Sequence, residues 1–432
     1  MAVRKVNVVT MGCSKNLIDS ERLLSMFAKA GIKASHNADG FTGGAVVINT
    51  CGFIGDAKEE SINAILEACR LKGEGYIDRV YVMGCLSERY RKELPAEIPE
   101  VDGWYGKFDW NGIIEAIKPA AKNAAGTYDR CVTTPPHYAY IKIAEGCNRF
   151  CAFCAIPLIT GRYKSRPVED ILDETRDLVA RGVSEFNVIA QDLSFYGHDL
   201  YGRSALAELV DRMARIEGVR RIRLHYAYPS DFPYDVLPVM ASHMNVCKYL
   251  DIALQHIDDR VLRNMHRHIT AAETRSLLDR IRREVPGIHI RTTLMVGFPG
   301  ETQEAFDRLL EFVREQRFER MGAFAYCEEE DTAAAREFTD NIPQEVKQQR
   351  LDTLMAEQEA IALELNEAKI GKVLEVVIDS ENDDYYIGRS EFDSPEVDPE
   401  VLVRKTKKLS VGEYVKVRID DAMPFELIAT AV

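Results

Sequence analysis

The sequence predicts an α/β protein in three parts: an N-terminal open parallel α/β sheet, a central partial (βα)6 barrel and a small C-terminal antiparallel β-barrel. Three observations carry that reading. Apolar strand-like runs alternate with amphipathic helical runs through roughly the first 120 residues, the mark of a parallel sheet covered by helices. The alternation then repeats six times between residues 138 and 326. From residue 372 the texture changes to short strands separated by Gly, Asp and Pro turns.

In the first part, VNVVTM (6–11) precedes the amphipathic SERLLSMFAKAG (20–31), and AVVINT (45–50) precedes EESINAILEACRLKG (59–73). RVYVMG (79–84) follows, and WNGIIEAIKPAAKN (110–123) closes the set as a helix. NAAGTYDRCVTTPPH (123–137) reads as a linker. The central strands are YAYIKIAE (138–145), EFNVIAQ (185–191), RIRLHYA (221–227), YLDIALQ (249–255), HIRTTLMVG (289–297) and MGAFAY (321–326). Six βα units make an open barrel whose chemistry belongs at the C-terminal ends of its strands. A charged helical stretch (344–371) leads into VLEVVID, YYIGRS, VLVRKT, YVKVRIDD and FELIATAV. The expected domains are 1–125, 137–367 and 370–432.

Hydrophobic content of 46% and charged content of 29% suit a globular chain of 432 residues, long enough for several cores. No apolar run reaches the length of a membrane span. Asn7 and Thr10 interrupt the start of the chain, so a secretory leader is not expected and a cytoplasmic location is. Ten cysteines in such a chain point to metal or catalysis rather than to a disulfide framework. The net charge of −14 disfavours a general nucleic-acid binder and favours a basic partner.

EGCNRFCAFCAIP (145–157) holds three cysteines, Cys147, Cys151 and Cys154, directly after the first barrel strand. A closed zinc site needs four ligands, usually two paired knuckles, and no second pair lies nearby. Three thiolates on a four-iron cluster leave one iron open to a ligand. Cys13, Cys51 and Cys85 stand far apart in the chain, yet each follows a strand of the first sheet, in VVTMGC, VVINTC and VYVMGC. Parallel strands present their C-terminal ends at one crevice, so these thiols are expected to converge as a second three-thiolate cluster site. Three small buried apolar residues are the plainer alternative. Cys69, Cys131, Cys247 and Cys327 lack such placement. At the strand ends of the barrel, Gln191 and Asp192, Asp251, Gln255 and His256, and Gly297 and Gly300 of VGFPGE are the expected pocket lining.

CxxxCxxC after the first strand of a partial barrel resembles the radical S-adenosylmethionine (SAM) superfamily. Two cysteine trios, that barrel and a terminal β-barrel together resemble the methylthiotransferase family over nearly the whole chain, the last part corresponding to a TRAM domain. The resemblance implies two 4Fe–4S clusters: one on Cys147, Cys151 and Cys154, whose open iron is chelated by SAM, and an auxiliary one on Cys13, Cys51 and Cys85 that holds the sulfur to be delivered. One SAM gives the methyl group, and another gives the 5′-deoxyadenosyl radical that takes hydrogen from an unactivated carbon. An electron donor such as a flavodoxin or ferredoxin is implied, and a monomer is expected.

MGCSKNLIDSE (11–21), NTCGFI (49–54), LHYAYP (224–229), YLDIALQH (249–256) and GRSEFDSPEVD (388–398) resemble the branch called RimO, which modifies an aspartate β-carbon on the twelfth protein of the small ribosomal subunit. Residues 372–432 carry eight Lys and Arg against fourteen Asp and Glu, which fits a protein substrate from a basic ribosomal surface. CNRFC and the RKTKK run (404–408) lean toward the other branch, which modifies an adenosine in tRNA. A non-catalytic, metal-stabilised ribosome- or RNA-binding protein is the alternative of another class.

Overall fold

The computed structural model describes residues 5–119 and 129–432. Five parallel strands form the first sheet: β1 (Lys5–Thr10), β2 (Lys33–His36), β3 (Ala45–Thr50), β4 (Arg79–Gly84) and β5 (Gly103–Trp104), in the order β2-β1-β3-β4-β5. Helices α1 (Ser14–Lys29) and α2 (Gly55–Gly73) follow β1 and β3, and the short α3 (Cys85–Arg89) follows β4. The edge strands β2 and β5 are short and carry no apolar run, which is why periodicity does not find them. The helix expected over 110–123 ends at Ile117, two residues before Pro119, because a residue ahead of proline is pushed out of helical geometry. Residues 120–123 of that expectation, and 123–128 of the linker, lie outside the described residues.

The central sheet has six parallel strands: β6 (Tyr138–Lys142), β9 (Glu185–Ile189), β10 (Arg221–Ala227), β11 (Val246–Ile252), β12 (His289–Val296) and β13 (Arg320–Ala325), in the order β13-β12-β11-β10-β9-β6. It is open between β6 and β13. The run expected as one strand over 138–145 breaks at Ile143, and β7 (Ala144–Glu145) turns to pair antiparallel with β8 (Lys164–Ser165). That pair ties the base of the loop carrying Cys147, Cys151 and Cys154. Ile141, Val188, Leu224, Leu250 and Ile290 are buried in the barrel core.

The last domain is a closed five-stranded barrel of β14 (Val373–Glu381), β15 (Tyr385–Arg389), β16 (Glu400–Arg404), β17 (Tyr414–Ala422) and β18 (Glu426–Ala431). Its pairings are antiparallel except β16 with β18, which is parallel. Five strands cannot close a ring in strict alternation, so one neighbouring pair must run the same way. The loop between β15 and β16, within GRSEFDSPEVD, plugs the N-terminal end of the central barrel. Arg389 binds Glu185 of β9 at 2.7 Å, Asp393 binds Arg320 of β13 at 2.6 Å, and Asp398 accepts from Tyr249 of β11 at 2.7 Å. Domain three therefore closes the end of the barrel opposite the cysteine loop. The RKTKK run is solvent-exposed, with Lys405 paired to Glu381.

Candidate functional site

β1, β3 and β4 are neighbours in the first sheet, so the residues that leave their C-terminal ends emerge side by side. Cys13 caps α1, Cys51 follows β3 and Cys85 opens α3. Gly12 and Gly84 let the chain turn there: both have positive φ, and a Cβ on Gly12 would lie 2.7 Å from the Cys51 Cβ. Asn16, fully buried, ties the three ends together. Its amide donates to the carbonyls of Met11 and Thr50, each at 3.0 Å, and its carbonyl accepts from the Cys85 thiol at 3.5 Å. Burial pushes the Cys51 thiol up, and the Cys85 thiol up to about 12; charge on Cys13 raises each further.

Cys147, Cys151 and Cys154 share the loop after β7. The Cys154 N–H donates to the Cys151 carbonyl at 3.0 Å, a turn that folds the thiols toward one another. Burial raises the Cys154 thiol and pushes the Cys147 thiol up to about 12. Beside them Tyr228 lies between two guanidinium groups, Arg149 at 4.3 Å and Arg267 at 4.0 Å from its ring centre. The Tyr228 hydroxyl and an Arg267 N–H each reach the Cys151 sulfur at 3.6 Å. Sequence reasoning missed Arg149, Arg267 and Tyr228, although CNRFC and LHYAYP contain two of them.

The elements that carry the two trios touch. Cys85 packs against Ala155, next to Cys154 in the chain, and against Ile159 a turn further on. Next to this contact Lys107, almost fully buried, lies 3.7 Å from Asp19 and 3.4 Å from Glu145. Lys142 bridges the same two acids at 2.6 Å each, and Gln191 donates to Glu145. Burial works against a charged lysine here, yet Asp19 and Glu145 hold Lys107 charged, above the ordinary lysine range. Lys142 and Lys107 in turn hold Glu145 down to about 2 against its burial. Asp19 and Lys107 belong to the first domain, Lys142 and Glu145 to the second, so the charges lock the domains together beside the cysteines. None of these was legible beforehand, since a buried pair looks like surface charge in a sequence.

The expected pocket residues divide. Gln191 and Gln255 each keep a buried carbonyl oxygen with no partner among the described residues, and Gln255 holds a left-handed backbone with φ 70°. Asp192 is committed to Arg149 at 2.7 Å, so it orients that guanidinium. Asp251 accepts the Tyr226 N–H at 3.2 Å and stands 3.5 Å from Arg291; burial raises its carboxyl. His256 turns into a buried ion network with Glu301 at 3.1 Å, which also binds Arg350. Gly297 and Gly300 both have positive φ, but the space a Cβ would take at Gly297 is filled by the Lys347 side chain. That glycine admits a packing neighbour.

The donor chemistry fits iron–sulfur clusters: two separate sets of three soft thiols, each beside buried cations that offset thiolate charge. Unpartnered buried atoms on Gln191, Gln255, Arg149 and Arg267 sit at the same end of the barrel and suit a polar ligand. Among the described residues, no three His, Cys, Asp or Glu side chains are drawn in tightly enough for a single metal ion.

Comparison with known proteins agrees with this layout. Uncharacterized protein family UPF0004 matches residues 5–106, the Radical SAM superfamily 141–313 and the TRAM domain 370–432. Ribosomal protein uS12 methylthiotransferase RimO of Phocaeicola vulgatus is 58% identical over 426 residues, 98% of each chain. RimO of Bacteroides fragilis is 54% identical over the full length of both chains. The chain belongs to the RimO family. It is a radical-SAM methylthiotransferase, and membership of the superfamily carries with it a 4Fe–4S cluster and SAM. In fold, this RimO chain resembles the radical SAM methyltransferase TsrM from Kitasatospora setae, with a TM-score of 0.57 and 16% identity over 75% of each chain. No helix among its described residues is long and apolar enough to cross a membrane.

Proposed function

We propose that the chain methylthiolates the β-carbon of an aspartate of ribosomal protein uS12, with Cys147, Cys151 and Cys154 holding one 4Fe–4S cluster and Cys13, Cys51 and Cys85 a second. The observation that supports this reading best is the packing of Cys85 on Ala155 and Ile159, which brings an element of the first trio against the segment that follows the second. When bound, the clusters supply the electron that cleaves SAM and the sulfur that is inserted.

The chain's own residues supply place and surroundings. Arg149 and Arg267, stacked on Tyr228, offset negative charge beside Cys151, and Lys107 does the same beside Cys85. Gln191 and Gln255 present free carbonyl oxygens to the amino, hydroxyl or base edges of SAM. Asp251 keeps the strand end formed by fixing Tyr226. Ala155 and Ile159 give Cys85 a buried apolar neighbourhood, the kind of surroundings a carbon radical requires. The enzyme works as a monomer in the cytoplasm and takes electrons from a flavodoxin or ferredoxin.

The test is anaerobically reconstituted protein with SAM and reductant, given uS12 and unmodified tRNA in parallel, both read by mass spectrometry. A methylthio group on uS12 alone is the expected result. A methylthio group on tRNA alone overturns the substrate.

A further inference from the structure

Lys15 stands in the first turn of α1, two residues after Cys13. A cation there opposes the positive end of the helix dipole, and that turn contains no acidic residue to balance it. Among the described residues no carboxylate pairs with the Lys15 ammonium. It instead lies 3.2 Å from the centre of the Tyr226 ring, on the second domain. Tyr226 itself carries φ 68°, a conformation costly for a bulky aromatic residue and held by the bond from its N–H to Asp251. The Lys15 charge also acts on Asp251, but that carboxylate is engaged by Arg291 and by Tyr226. A half-buried cation two residues from Cys13 thus rests on a strained aromatic seat, with no direct ion pair among the described residues.

We infer that Lys15 binds the side-chain carboxylate of the substrate aspartate and so sets the enzyme's selectivity for an acidic residue. The inference rests on the uS12 reading above. The carboxylate carbon is bonded directly to the β-carbon, so an ammonium two residues from Cys13 holds the reacting carbon against the site that delivers sulfur. SAM also carries a carboxylate, but Arg149 and Arg267 lie beside the other trio, where SAM binds. Lys15 comes from the other domain, two residues from Cys13, and rests on Tyr226 instead.

The experiment compares uS12 with a form in which the target aspartate is replaced by asparagine, using reconstituted wild type, Lys15→Met and Lys15→Arg. Wild type is expected to favour the aspartate form by about tenfold or more in kcat/KM, and Lys15→Met to bring the ratio within about twofold, with Lys15→Arg intermediate. Binding of each uS12 form to the reconstituted proteins without SAM should show the same loss of preference in Kd. An unchanged aspartate-to-asparagine ratio in Lys15→Met overturns the inference, even if both rates fall. Loss of 5′-deoxyadenosine formation by Lys15→Met in the absence of uS12 also overturns it, because the carboxylate held is then that of SAM. Failure of wild type to modify uS12 at all overturns the substrate reading itself.

Discussion

At the lower end of the central barrel, Glu185 of β9 is met by Arg223 at 2.5 Å and Arg389 at 2.7 Å, and Arg389 also grips Asp379 through two bonds. At the upper end, Lys15 rests on Tyr226 and Arg267 on Tyr228 and the Cys151 sulfur, so these cations meet rings and a thiol rather than carboxylates. Both ends are closed by another domain. The lower seam is filled by acids and bases that pair with one another from within the chain. At the upper seam Lys107, Lys142 and Arg149 are matched by Asp19, Glu145 and Asp192, but Lys15 and the thiols have no such partner among the described residues. A buried ion network that is internally matched specifies how two domains dock; one left short of anions marks a place where ligands complete the set.

The comparison predicts that damage above costs chemistry and damage below costs stability. The largest effect is expected from replacing Cys147, Cys151 and Cys154 with alanine, which should abolish SAM cleavage as read by 5′-deoxyadenosine formation. Replacing Cys13, Cys51 and Cys85 should leave SAM cleavage and remove methylthiolation, with iron content halved. If both triple variants lose cleavage alike, the two sites are not separable as described. Below, Arg389→Met leaves Glu185 to Arg223 and Asp379 to His137, and is expected to cost about 3 kcal/mol of stability in denaturant unfolding while cleavage per folded molecule holds. A fall in cleavage with unchanged stability would break the contrast between the ends.

Asn16→Ala sharpens the comparison from the other side, since it removes a donor shared by two carbonyls at the upper end. It should lower stability by about 1–3 kcal/mol and iron content at the second site along with it. The smallest effect concerns pH. Burial opposes ionisation of Asp393, but Arg320 and Lys369 hold its carboxyl down to about 2, below the ordinary aspartate value. A depressed carboxylate stabilises above its unfolded pKa and loses that contribution as pH falls through its folded one. Thermal stability should therefore drop between about pH 4 and pH 2, and Asp393→Asn should flatten that part of the profile. An unchanged slope in Asp393→Asn would show that the plug is not the acid-sensitive element.

Much of the candidate site can be read from the sequence because its clues are local. CxxxCxxC places three thiols within one loop whatever surrounds it, and MGC, NTC and MGC announce three equivalent strand ends. The pocket lining was less legible. Gln191 and Gln255 keep free polar atoms, whereas His256 turns into an ion network and Gly297 makes room for Lys347. Strand-end position alone does not say which way a side chain points. GRSEFDSPEVD reads in the sequence as a family likeness within an acidic barrel; in the structure its Arg389 and Asp393 are buried and its Asp398 half-buried as the plug of the barrel.

The sequence by itself determined the order of the three parts, the parallel strands and the spacing of the thiols, because hydrophobic periodicity and short-range chain geometry act over a few residues. Only the tertiary structure decided that Cys85 lies against Ala155, that Lys107 shares Glu145 with Lys142, and that Lys15 stands over Tyr226 without an acid. Those pairings join residues from different domains, and the partner of a buried charge is set by how the domains dock.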